Sequence, residues 1–176
     1  MKYYLITDTH FGHGMLTRNK HRNEGYEDLI LKNLKKKSGD VLIHLGDICI
    51  GKDEEWHSKF MDAASGFKRK ILIRGNHDNK SYSWYYDHGW DFVCETMRMR
   101  FLGKEIVFSH MPIIAENIET SPYLKVDKNI HGHLHGSGHY SHRAIDGYEA
   151  GFHFDCAVDT NNFDIIDLEK ILTNHK

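Results

Sequence analysis

The chain has 176 residues, 40% of them hydrophobic and 27% charged, with a net charge of −2. That length suits one domain spanning residues 1–176, able to bury roughly 70% of the surface its unfolded form exposes. No apolar run is long enough to cross a bilayer, and the near-neutral balance gives no general attraction to nucleic acid, the stretch Lys35-Lys36-Lys37 being too short to supply one.

Residues 2–7 read as the first strand, and because Met1-Lys2 leads straight into it, with no room for an export leader, the expected location is cytoplasmic. Phe11 to Glu24 lacks periodicity and is long for a connection, which marks it as a loop walling a site. Tyr26, Leu29, Ile30 and Leu34 recur at helical spacing and predict a helix from Tyr26 to Lys37, with basic residues in its last turn. Asp40 to Leu45 is the second strand. Trp56, Phe60, Met61 and Ala64 form the apolar face of a second helix ended by Gly66. The run Ile71-Leu72-Ile73, starting at Lys70, is a third strand, too short for a helix and rich in β-branched residues.

Residues 81–91 are aromatic-rich and ambiguous in period, a short helix or a packed loop. Core packing is their favoured reading over stacking on a nucleobase. Phe92 to Phe101 and Glu105 to Ser109 read as two strands joined at Leu102-Gly103-Lys104. Met111 to Val126 is irregular, Asp127 to His131 is a strand, and Gly136 to Gly151, with four glycines, is a loop whose His139 and His142 line a cleft or are simply solvated. Phe152 to Val158 and Phe163 to Ile166 alternate like strands, and Asp167 caps a closing helix to Thr173. Three scattered cysteines, Cys49, Cys94 and Cys156, lack C-x-x-C spacing and read as free buried thiols.

Histidine is the anomaly, present fifteen times. His44 and His131 lie inside strand-like runs and read as buried core residues; His57, His88 and His175 read as surface residues. Others follow apolar segments at their ends. KYYLI runs into Thr7-Asp8-Thr9-His10, VLIHL into Gly46-Asp47, KILIR into Gly75-Asn76-His77-Asp78, EIVF into Ser109-His110, and Asn129-Ile130 into His131-Gly132-His133-Leu134-His135. Five segments each delivering oxygen or nitrogen ligands describe one site assembled from strand ends, as is usual for α/β sheets. Imidazoles and carboxylates converging without cysteine suit a metal of the zinc, manganese or iron kind.

Singly these motifs are weak, but the order D-x-H, G-D, G-N-H-D, a histidine before Met-Pro, and G-H-x-H resembles the calcineurin-like metallophosphoesterases, from Asp8 to His135. The start D-T-H-F-G-H and the later S-H-M-P look most like small stand-alone members of bacteria and phages. The resemblance implies an α/β fold, a four-layer αββα sandwich of two β-sheets flanked by helices. It implies two divalent metal ions, manganese first and iron, zinc or nickel as alternatives. Asp8, His10, Asp47 and His135 would hold one, and Asp47, Asn76, His110 and His133 the other.

Asp47 would bridge, since two cations about 3.5–4 Å apart need a shared anionic ligand. Hydroxide held between them would cleave a phosphodiester or phosphomonoester, a small substrate with a nucleotide as one candidate. The resemblance gives His77 to the leaving group and Asp78 to positioning the His77 ring. Arg18, Arg22, Arg74 and His13 are candidate phosphate contacts. Ser109 stands where many larger members have glycine. With no cap after His135, substrate choice rests on loops 11–24, 111–126 and 136–151. A non-catalytic scaffold of the same fold is the alternative; a structural metal domain is less apt, because it would close a tetrahedral site.

Overall fold

A computed structural model describes residues 1–113, 125–136, 148–149 and 151–173. Most of the expected walls 111–126 and 136–151, with His139 and His142, and also His175, lie outside the described residues.

The first sheet has the order β4-β3-β2-β1-β9: β1 (Tyr3–Ile6), β2 (Gly39–His44), β3 (Phe67–Ile73) and β4 (Phe92–Cys94) run parallel, and β9 (Ile166–Asp167) closes the edge antiparallel to β1. The inner stretches of its strands, such as Val41-Leu42-Ile43 and Ile71-Leu72-Ile73, read as apolar runs because both faces are covered there. Tyr4, Ile6, Leu42 and Leu72 pack on one side with Tyr26, Ile30 and Leu34 of α2 (Tyr26–Lys35) and with Phe60 and Ala63 of α3 (Asp53–Ala63). Leu5, Val41, Ile43 and Ile73 point the other way, into a second cluster with Ile106, Phe108 and Ile130. Each such leucine or isoleucine contributes about 1.5–3 kcal/mol on burial, so register in this sheet is strongly fixed.

That second cluster is the interface with the second sheet, of order β5-β6-β7-β8: β5 (Thr96–Phe101) pairs antiparallel with β6 (Lys104–Ser109), and β7 (Lys128–His131) and β8 (His153–Asp155) follow in parallel. Two sheets flanked by helices are the architecture expected from the resemblance. The closing helix α5 (Leu168–Thr173) buries Leu168 and Ile171 against the inter-sheet cluster, and Asp167 Oδ1 accepts from the Glu169 N–H at its start.

Several boundaries differ from the sequence reading. The stretch 92–101 is not one strand: the chain leaves the first sheet after Cys94 and joins the second at Thr96. Periodicity cannot reveal this, since the three-residue apolar run Phe92-Val93-Cys94 is too short to show a period of its own before the alternation of β5. The loop after Phe11 contains a short helix, α1 (Gly14–Arg18), and the aromatic stretch forms α4 (Tyr82–Asp87), N-capped by Ser81 Oγ. The stretch 152–158 stops as a strand at Asp155, whose Oδ1 accepts from the Ala157 N–H, and a 3-10 turn follows over Val158–Thr160. Such local side-chain bonds compete with ladder pairing.

His57 is a correction: expected at the surface, it is 1% exposed and packs among Trp84, Tyr85 and Trp90. It stands three residues before Phe60, which places it on the apolar face of α3. His88 is half-buried and stacks on Trp84 with ring centroids 3.6 Å apart. His44 and His131 are buried and hydrogen-bonded, His44 to Thr9 Oγ1 and the Gly46 N–H, His131 to Gly132 O. Cys49 and Cys156 are buried free thiols and Cys94 is half-buried, and burial pushes the Cys49 thiol up to about 12.

Candidate metal centre

Each strand that points at the seam between the sheets ends in a turn that throws polar side chains forward. Asp8 and His10 follow β1, Asp47 follows β2, Asn76 and His77 follow β3, His110 follows β6, and His133 and His135 follow β7. The turns are tight. Among the described residues ten non-glycine positions have positive φ, and five of these are Asp8, His10, Asp47, His133 and His135, at 45° to 69°. Left-handed backbone at side-chain-bearing residues costs about 1–3 kcal/mol each and persists only where the surroundings enforce it, typically at functional sites. Two glycines make the approach possible: a Cβ on Gly75 would collide with the Asp47 carboxylate, and one on Gly132 with Asp8 Oδ2 and Thr7.

Two groups of ligand atoms result, Asp8 with His10 and His135, and Asp47 with His110 and His133. In the first, Asp8 Oδ1 lies 3.7 Å from His10 Nε2 and 3.5 Å from His135 Nε2, and the two imidazole nitrogens are 3.2 Å apart. In the second, His110 Nε2 is 3.0 Å from Asn76 Oδ1 and 3.2 Å from His133 Nδ1. Asp47 Oδ2 faces both groups, 3.6 Å from His10 Nε2 and 3.4 Å from His110 Nε2, while its other oxygen accepts the His77 N–H. His110 Nδ1 sits 2.8 Å from Leu45 O, which directs Nε2 at the centre.

The donor set fits cations. Asp8 Oδ2 accepts from Thr7 Oγ1 and the His133 N–H, both at 2.9 Å, but Asp8 Oδ1 is buried with no hydrogen-bond partner among the described residues. A buried carboxylate oxygen without a partner is costly unless a positive charge faces it. The titration pattern agrees. Burial alone would keep His110 neutral, but the carboxylates of Asp47 and Asp8 outweigh it and lift its pKa to about 9. Burial also works against ionised Asp47, yet His110, the His77 N–H and His10 hold its carboxyl below the usual range. His10 goes the other way, its pKa lowered to about 2 chiefly by burial, which leaves a neutral ring with a lone pair to donate.

The remaining candidates divide. His77 is 44% exposed at its side chain, with Nε2 3.9 Å from Asp47 Oδ2, and lines a cavity of about 680 Å³ that also contains His13, Asn76, His133 and His135. Asp78 does not meet the His77 ring. Its carboxylate accepts the N–H groups of Asp47 (2.8 Å), Gly75 (2.8 Å) and Ile48 (3.1 Å), so it ties two ligand-bearing turns together. Burial pushes its pKa up, but only an acceptor can satisfy three N–H donors, and they pull the other way.

Two of the arginines are corrections too. Arg74 is turned from the cavity, donating to Asp78 O and pairing with Glu95 at 3.0 Å. Arg18 is exposed on α1 and does not line the cavity. Arg22, by contrast, does line the cavity, but it is buried with its N–H groups on Asp159, Thr9 O and Asp8 O, which ties it to the site's frame.

Sequence reasoning missed Asp159. Its Oδ2 is 2.8 Å from His135 Nδ1 and 2.7 Å from Arg22 Nη2, and these contacts hold its pKa at about 2 against burial, which would raise it. A carboxylate behind an imidazole fixes the tautomer that presents Nε2 forward. Asp159 sits in the 3-10 turn with no motif around it, so no sequence signal could have found it. Leu16, His21 and Asn23, which also line the cavity, lie in the stretch 11–24 expected to wall the site, whereas Phe163 was unforeseen.

A family model described as calcineurin-like phosphoesterase matches residues 1–166. No curated protein matches the chain. Among solved structures, the protein of unknown function AQ665 from Aquifex aeolicus is 26% identical with a TM-score of 0.75, covering 98% of each chain. A novel archaeal phosphodiesterase is 16% identical with a TM-score of 0.47, over 77% of this chain and 74% of its own. The nuclease MPE of Pseudomonas putida is 21% identical with a TM-score of 0.45, over 76% and 61%.

Proposed function

Because this chain belongs to the calcineurin-like phosphoesterase family, we propose that it is a phosphohydrolase using two divalent cations, manganese first with iron, zinc or nickel as alternatives, to cleave a small phosphodiester or phosphomonoester, including nucleotide esters. The observation that carries this reading is the position of Asp47 Oδ2 between the two ligand groups, within 3.6 Å of an imidazole nitrogen of each. Asp8, His10 and His135 would hold one ion, His110, His133 and Asn76 the other, with Asp47 shared. When bound, the pair would lower the pKa of water and screen the charge that develops on a phosphoryl group.

The chain's own residues do the rest. Asp47 and Asp8 set the negative field that keeps the ions close, and the left-handed turns fix ligand direction before any ion arrives. His77, half-exposed and beside Asp47, reaches into the cavity where an ester oxygen would depart and can hand it a proton. Of the four candidate phosphate contacts, His13 and Arg22 line the same cavity, Arg22 with its N–H groups already engaged. No helix among the described residues is long and apolar enough to cross a membrane.

The test is hydrolysis of chromogenic bis(4-nitrophenyl) phosphate and 4-nitrophenyl phosphate with manganese, alongside metal analysis of the same sample. Turnover of either ester is expected. A protein carrying two ions per chain and inactive on both would be a binding scaffold instead.

A further inference from the structure

Besides the ligand groups, the cavity is lined by two apolar residues, Leu16 of α1 and Phe163. This wall is held in a strained shape. Asn162 and Phe163 are consecutive left-handed residues, at φ of 52° and 58°. A bulky side chain is an outlier there, kept only where neighbours fix the backbone. Three hydrogen bonds fix it: the Phe163 N–H donates to Val158 O (2.9 Å), the Asp164 N–H to Asn161 O (3.0 Å), and Asn33 Nδ2 to Phe163 O (3.1 Å). The ring is half-buried, with the Tyr26 ring 6.3 Å and the Arg22 guanidinium 5.8 Å from it, and its remaining surface borders the cavity.

His21, Arg22, Asn23 and Asp159 also line the cavity, but the Arg22 N–H groups are committed to Asp159, Thr9 and Asp8, and Phe163 and Leu16 add an aromatic ring and a leucine where a phosphate-only site would offer only polar groups. A space of about 680 Å³ is also of the size that encloses a whole organic ligand.

We propose that Phe163 and Leu16 form a subsite for a planar, apolar substituent of the phosphoester, an aryl or nucleobase-type group, while the phosphoryl end lies over Asp8, Asp47 and their histidines. The inference rests on the phosphohydrolase reading above and names the class of ester which that reading leaves open. A π-face against the ring, with Leu16 beside it, removes apolar surface from water at a wall already built, so little ordering is needed on binding.

Calorimetric titration of the manganese-loaded protein with phenylphosphonate and methylphosphonate tests it, because neither probe can be hydrolysed. Wild type should bind the phenyl compound about tenfold or more tightly, the scale set by aromatic stacking. In Phe163→Ala and Leu16→Ala the affinity ratio should fall toward one. Phe163→Gly separates loss of the ring from distortion of the turn, since glycine accepts φ of 58° freely. It should lose the preference and unfold no earlier than Phe163→Ala. Equal affinities in wild type, or a preference surviving in both Phe163→Gly and Leu16→Ala, would overturn the subsite. Failure to bind either phosphonate with manganese demonstrably present would overturn the phosphohydrolase reading and this one with it.

Discussion

Replacing Asp78 by Asn changes almost no volume but removes one acceptor from a carboxylate 4% exposed that serves three backbone N–H groups. The least damaging arrangement keeps the amide oxygen where Oδ2 receives the Asp47 and Gly75 N–H groups and sets the NH2 against the Ile48 N–H. One charge-assisted bond is lost and a buried donor is left facing a donor, about 1–3 kcal/mol, while two bonds weaken from charged to neutral acceptors. The sum is about 3–4 kcal/mol, and for a chain of 176 residues that corresponds to a fall in Tm of about 10 °C. Thermal unfolding followed by circular dichroism measures it, and manganese titration should show weaker binding, because the Asp47 turn loses its tie. If Tm stayed within about 2 °C of wild type and only turnover fell, the backbone-clamp account would be refuted and Asp78 would act through the His77 ring.

His77→Ala should lower kcat by about 10²–10⁴-fold while both metal ions remain bound, as judged by elemental analysis; loss of metal would mean that His77 is a ligand. Asp159→Asn should weaken manganese affinity by about 10–100-fold through His135, and an unchanged titration would deny that coupling. The buried His57 ring has its pKa lowered to about 4, burial being the main cause. Its folded value lies below that of the unfolded chain, so the stability it supports is complete above pH about 6.5 and is lost as pH falls toward about 4, by about 2–3 kcal/mol at 1.36 kcal/mol per unit. His57→Phe should therefore reduce the loss of stability between pH 7 and 4.5 in urea unfolding, and an identical loss in both proteins would show that another group sets it.

The ligands were legible because each lies within a few residues of an apolar strand end, so strand, turn and donor are written together, as in Gly75-Asn76-His77-Asp78. What escaped depends on contacts that no local window contains. Arg22 meets Asp159 across 137 positions, and an arginine in a loop gives no sign that its partner waits in a distant 3-10 turn. The role of Asp78 failed for a related reason: adjacency to His77 suggested a side-chain partner, whereas its true partners are main-chain groups of a different strand's turn. Helix α3 carried the information needed to bury His57, since its spacing from Phe60 shares that face. The break at Glu95 was illegible, because neither the short run Phe92-Val93-Cys94 nor the alternation after it says which sheet it joins.

That break decides where the ligands originate. Strands β1 to β4, before it, belong to one sheet and lead to Asp8, His10, Asp47 and Asn76, and β5 to β7, after it, belong to the other, with β6 and β7 leading to His110, His133 and His135. Any ion seated between them would rivet the two halves of the molecule across their common edge, so chelation should loosen the sandwich itself, and fastening and chemistry would share the same few atoms.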